Sequence, residues 1–159
     1  MSSRQRNAAQ QRFPQLGGRR FALIVARFYD DLADDLEDGA RRALARCGVA
    51  PADIAVFDVP GCFEIPLAAQ MAFAAGFDAC VALGVVIRGE TPHFDYVAGQ
   101  CARGIMDVQL GTGRPIGFGV LTTDTREQAA VRAAPDGGDK GFEAALAAAA
   151  LVAFPGSAR

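Results

Sequence analysis

Four short apolar runs punctuate the chain, and each is followed by a stretch in which apolar positions recur at helical spacing. Phe21-Ala22-Leu23-Ile24-Val25-Ala26 contains no polar residue, the mark of a strand buried on both faces. From Asp30 to Cys47, Leu32, Leu36, Ala40, Ala43, Leu44 and Cys47 fall on one helical stripe. Acids crowd the first turn of that stretch, and Gly48 stops it. Ile54 to Val59 predicts a second strand, closed by Pro60-Gly61. Glu64 to Ala75 predicts an Ala-rich helix ended by Gly76. Ala79 to Ile87 is again apolar throughout and predicts a third strand. Pro92 to Leu110 reads as a helix ended by Gly111, and Ile116 to Leu121 as a fourth strand. Thr125 to Ala134 and Lys140 to Phe154 read as the last two helices, separated by a loop around Pro135.

Strands that alternate with helices in this way imply an α/β fold with a parallel sheet and helices on both faces. The expectation is a single-domain three-layer sandwich on a four-stranded parallel sheet, flavodoxin-like in type. Residues 1–18, polar and Gln/Arg-rich, read as a flexible N-terminal arm, and 19–159 as the domain.

Composition narrows the class. At 159 residues and 51% hydrophobic the chain can bury a sizeable core, and 21% charge excludes wholesale disorder. The longest nearly apolar run, Ala144 to Phe154, is too short to span a bilayer, and no apolar secretory core precedes the first strand. Four cysteines (Cys47, Cys62, Cys80, Cys101) are widely spaced and there is a single histidine, so no Cys/His metal site is expected. These features predict a soluble, cytoplasmic protein with reduced thiols and no membrane partner. The net charge of −2 hides an asymmetry: six arginines and no acid precede Asp30, and the rest of the chain carries 10 basic and 18 acidic residues. Such an arm without interleaved aromatics is better read as a tail or packing segment than as a nucleic-acid contact.

In folds of this kind ligands sit at the carboxyl ends of the strands. After the first strand comes Arg27-Phe28-Tyr29, where Phe28 either stacks on a planar ligand or simply covers the core edge. After the second comes Val59-Pro60-Gly61-Cys62-Phe63-Glu64, a turn that leaves backbone amides at a helix start; Cys62 reads most simply as a small buried hydrophobe. After the third, Arg88-Gly89-Glu90-Thr91-Pro92-His93 combines a Gly, a good N-cap in Thr91, Pro92 at the first helical position and the only histidine. A helix N-terminus of this composition suits phosphate, and His93 in its first turn can accept or shuttle a proton. Beyond the fourth strand, Thr125 with Gln128 fits a capping box.

Four segments, taken in order, carry a resemblance: Val59-Pro60-Gly61-Cys62-Phe63-Glu64-Ile65-Pro66, then Gly84 to Val97 (GVVIRGETPHFDYV), then Gly117-Phe118-Gly119-Val120-Leu121-Thr122-Thr123-Asp124, then Lys140-Gly141. From about Phe21 to Phe154 the chain resembles the 6,7-dimethyl-8-ribityllumazine synthase family of riboflavin biosynthesis. The resemblance implies condensation of 5-amino-6-(D-ribitylamino)uracil with 3,4-dihydroxy-2-butanone 4-phosphate, releasing inorganic phosphate and water, with no metal or organic cofactor. It implies that Phe28 stacks on the pyrimidine, that Cys62, Phe63 and Glu64 bind its polar edges and ribityl chain, and that Val86 and Ile87 touch the ring through main-chain atoms. Gly89, Glu90, Thr91 and Arg132 would hold the phosphate, His93 would move protons, and Phe118 would line the pyrimidine pocket, with Arg88 and Lys140 in support. It also implies a pentamer, which in some members closes into a sixty-subunit capsid.

Two departures stand out. Cys62 occupies a position where Ala or Ser is usual, and Asp136-Gly137-Gly138-Asp139 stands where Lys-Ala-Gly-Asn is common, so positive charge is lost there. Arg132 lies seven residues along the helix leaving the fourth strand, roughly 10 Å from the strand ends. Phe118 sits within the strand rather than at its end. Both are reconciled with the implied roles if they serve a neighbouring subunit. Two other readings compete. A receiver-like signalling domain would use Asp30, Asp31 and Asp58 as an acidic pocket, and a non-catalytic lumazine-binding shell protein would keep the family and lose the chemistry.

Overall fold

The computed structural model describes residues 13–154. Four parallel strands, β1 (Phe21–Ala26), β2 (Ile54–Val59), β3 (Ala79–Ile87) and β4 (Ile116–Thr123), lie in the order β2-β1-β3-β4. Five helices connect and flank them: α1 (Asp30–Arg46), α2 (Ile65–Ala74), α3 (His93–Thr112), α4 (Arg126–Ala133) and α5 (Lys140–Val152). This is the flavodoxin-like three-layer sandwich that the alternation predicts.

Alternation along the central strands sorts the core into two halves. Phe21, Leu23 and Val25 of β1 join Val81, Leu83 and Val85 of β3 beneath α1, α4 and α5. Ala22, Ile24, Ala26, Cys80 and Ala82 face the other way, under α2 and α3. All six residues of β1 are buried, which explains why that run carries no polar residue. All four cysteines are free and buried, and burial pushes the Cys80 thiol up to about 12.

The elements differ from the sequence reading mainly at their ends. A 3-10 turn, Cys62–Glu64, precedes α2, which begins at Ile65. Helix α3 runs through Gly111 and stops at Gly113, whose left-handed backbone closes it. Strand β4 continues to Thr123, where its last residues pair with Val86 and Ile87 of β3. The segment 13–18, read as part of the arm, is instead packed. Leu16 is buried and its amide donates to the Cys47 carbonyl at 2.8 Å, and Phe13 meets Phe142 edge-on beneath the Arg46 guanidinium. The remainder of the arm, 1–12, lies outside the described residues.

Helices α1 and α5 meet backbone to backbone. A Cβ added at Gly141 would stand 2.0 Å from the Leu36 carbonyl oxygen. Asp139, just before α5, adopts a left-handed conformation, and its carboxylate accepts two bonds from Arg42 of α1, at 2.8 and 3.0 Å. The acidic departure at this loop therefore has a local partner, and it fixes the start of α5 against α1.

Candidate active site

The carboxyl ends of β1, β2 and β3 surround one cavity of about 570 Å³. From the segment after β1 come Phe28 and Tyr29. The turn after β2 supplies Pro60, Gly61, Cys62, Phe63 and Glu64. From β3 come Val85, Val86 and Ile87, and from the first turns of α3 His93, Tyr96 and Val97. The β1/β3 neighbourhood is where the connections reverse direction, the switch point at which open α/β sheets bind ligands.

Local chemistry fixes several of these positions. Phe28 follows β1 directly and is 72% exposed, with Tyr29 meeting it edge-on at 5.0 Å. The Glu64 carboxylate turns back to accept the Gly61 amide at 3.1 Å, which holds the Pro60–Glu64 turn in shape. Cys62 is buried, and it fits because Gly84 of β3 has no side chain; a Cβ there would stand 2.6 Å from the Cys62 sulfur. The neighbouring Cys101 thiol on α3 and burial together raise the Cys62 pKa. Cys62 is thus the small buried group that its sequence context predicts, set at the cavity floor.

The β3–α3 loop carries the remaining features of the reading. The Thr91 hydroxyl accepts the His93 amide at 3.4 Å, but α3 begins at His93 with Pro92 at the cap position, one residue later than the sequence reading placed its cap and start. Arg88 is paired with Asp124 at 3.1 Å and Asp95 at 3.6 Å, and its guanidinium stacks 4.3 Å from the Phe94 ring. Gly89, Glu90 and Thr91 are exposed beside the cavity but do not line it. A Cβ at Gly89 would meet nothing of this chain within 4 Å, so no contact made here uses the close approach expected of it.

Three predicted residues lie apart. Phe118 and Lys140 share a second, shallower concavity of about 400 Å³ against β4 and α5, with Lys140 paired to Glu143 at 2.8 Å. Arg132 is exposed on α4 and donates to the Gln128 carbonyl of its own helix. Sequence reasoning missed Tyr29, Tyr96 and Val97 as cavity residues. Tyr96 and Val97 follow His93 by three and four positions, the spacing that brings helical side chains onto one face, so the signal was present.

The model of the 6,7-dimethyl-8-ribityllumazine synthase family matches residues 18–155. The chain belongs to this family. A 6,7-dimethyl-8-ribityllumazine synthase of Desulfatibacillum aliphaticivorans is 52% identical over 136 residues, which cover 85% of this chain and 88% of that relative. Membership in the lumazine synthase family bears out the resemblance carried by the four segments. It also displaces the receiver-like reading, whose acids are engaged elsewhere: Asp58 accepts from Arg27 at 3.0 Å, and Asp31 pairs with Arg126. Among the described residues, no three or more His, Cys, Asp or Glu gather as a metal site would require. No described helix is long and apolar enough to cross a membrane.

Proposed function

We propose that this chain catalyses the condensation of 5-amino-6-(D-ribitylamino)uracil with 3,4-dihydroxy-2-butanone 4-phosphate, and that the cavity at the strand ends is the pyrimidine side of its active site. The observation that carries this reading is the convergence of Phe28, Cys62, Phe63, Glu64, Val86, Ile87 and His93 on one cavity from three strand ends and a helix start.

The assignment of roles follows from the chemistry of each group. Phe28 and Phe63 offer exposed rings on which a planar heterocycle stacks. Glu64, the amides of the turn around it and the main chain of Val86 and Ile87 supply polar partners for the ring edges and ribityl hydroxyls. The phosphate binds beside the α3 N-terminus at Gly89, Glu90 and Thr91. The amine of one substrate attacks the ketone of the other, and the carbonyl oxygen leaves as water to give a Schiff base. Phosphate leaves, and ring closure with loss of water completes the lumazine. The substrates bring both nucleophile and electrophile, so the protein's share is positioning, with His93 moving protons.

Arg132, Lys140 and Phe118 complete the site from a neighbouring subunit. Two observations support this: none of the three lines the cavity of its own chain, and Phe118 and Lys140 sit together on a separate face. Large apolar side chains exposed on α2 and α3, among them Leu67, Met71, Met106 and Leu110, fit burial in a homo-oligomer. The assembly is a pentamer, open to closure into a sixty-subunit capsid. The protein works in the cytoplasm, with the arm outside the catalytic domain confined to 1–12, and binds neither nucleic acid nor membrane.

Mixing both substrates with the protein and following the lumazine product's absorbance tests the activity. Turnover is expected to proceed without any organic cofactor and to be unchanged by a chelator. Loss of turnover with chelator and its return with added metal would contradict the cofactor-free reaction. A chain that binds lumazine and yields no product would instead be the shell protein.

A further inference from the structure

Phe28 and the Pro60–Glu64 turn are two walls of the cavity, and burial holds neither wall's aromatic ring. Phe28 is 72% exposed and Phe63 is 60% exposed. One residue touches the base of both walls. The backbone amide of Arg27 donates to the Val59 carbonyl at 2.9 Å. Its guanidinium reaches in three directions: Nε to Asp58 at 3.0 Å, Nη1 to Asp34 at 2.5 Å and Nη2 to Glu37 at 2.5 Å. Asp58 and Val59 end β2 immediately before Pro60, while Asp34 and Glu37 lie one turn apart on α1, just beyond Phe28-Tyr29. The Arg27 and Glu37 side chains are only 23% and 16% exposed, so solvent screens this contact weakly.

We propose that Arg27 is a positioning residue for the pyrimidine subsite, setting the gap between the Phe28 wall and the Pro60–Glu64 wall by tying the end of β2 to α1. The inference rests on the assignment of this cavity to the pyrimidine. A planar fork with donors at fixed angles is suited to the task, because it holds three carboxylates from two elements at defined separations. A lysine keeps the charge and loses that geometry. The phosphate side is built from other parts, and within the chain the side-chain bonds of Arg27 go to Asp58, Asp34 and Glu37 rather than to the β3–α3 loop. The consequence is substrate-selective.

The test is Arg27→Lys, assayed with each substrate varied in turn at saturation of the other. The KM for the pyrimidine is expected to rise about tenfold and the KM for the butanone phosphate to stay within about twofold. A purely structural role would instead lower the melting temperature and disturb both constants alike, and that result overturns the proposal, as does an unchanged pyrimidine KM. If Arg27→Lys does not fold, Asp58→Asn removes only the tie to β2 and leaves α1 paired. It is expected to raise the same KM by a smaller factor, and no rise there also overturns the proposal. Binding is read separately by tyrosine fluorescence. The chain has no tryptophan, and its two tyrosines, Tyr29 and Tyr96, both line the cavity. No quenching of the wild-type protein by the pyrimidine substrate would overturn the subsite assignment and this inference with it. Quenching of the wild type with an unaltered Arg27→Lys KM would overturn the role of Arg27 alone.

Discussion

Gly141→Ala is expected to lower stability by about 3 kcal/mol, against the direction that helix propensity alone gives. Alanine is favoured over glycine inside a helix by roughly 1 kcal/mol. The local contact reverses the sign. A Cβ at Gly141 would stand 2.0 Å from the Leu36 carbonyl oxygen, 2.7 Å from its carbon and 2.9 Å from its Cα. All three are backbone atoms inside α1, so no side chain can swing aside, and α1 and α5 must separate. Separation would open the contact among Ala40, Ala43, Ala144, Ala145 and Ala148, all part of the same core cluster. For a chain of this size the melting temperature should fall by about 10 °C. A melting temperature equal to or above the wild type's would show that the helices absorb a methyl group, and the backbone contact would lose its importance.

His93→Ala is expected to slow the condensation by about 10²–10⁴-fold at saturating substrates while leaving a measurable rate. The fold should survive, because the bond at the start of α3 is donated by the His93 backbone amide to the Thr91 hydroxyl, and alanine keeps that amide. The residual rate comes from holding two reactive molecules together, which the cavity walls still do. Pre-steady-state measurement of the chemical step separates this loss from slow product release. An unchanged chemical step would remove His93 from proton transfer.

Legibility in the sequence followed the range of the interactions. Strands β1 and β3 were bounded to the residue, because a parallel strand buried between two helical layers is written as an uninterrupted apolar run; the half-exposed edge strand β2, which contains Asp58, was bounded by the Pro60-Gly61 turn that follows it. Helix ends were harder. Gly111 and Gly113 look alike in sequence, and only the left-handed backbone at Gly113 decides which one ends α3. Phe13 and Leu16 were lost among Gln and Arg because their partners, Phe142 and Cys47, are far along the chain. At the site, motifs beside strand ends located Phe28, the Cys62–Glu64 turn and His93. The ion cluster around Arg27 escaped notice, since Asp34, Glu37 and Asp58 follow no local pattern and meet only when β2 pairs with β1. The tie between Asp139 and Arg42 spans 97 positions and escaped for the same reason.

The central claim is that a working site draws His93 from one chain and Arg132 from the next. The most direct measurement is to unfold His93→Ala and Arg132→Ala proteins, reassemble them together in equal amounts, and assay the mixed oligomers. In a head-to-tail ring each site takes one contribution from each neighbour, so roughly a quarter of the sites would carry both native residues. Activity should therefore rise well above that of either parent, toward about a quarter of the wild-type value. Activity that stays at the average of the two parents, in oligomers confirmed to be mixed, would contradict a shared site and return Arg132 to its own chain's surface.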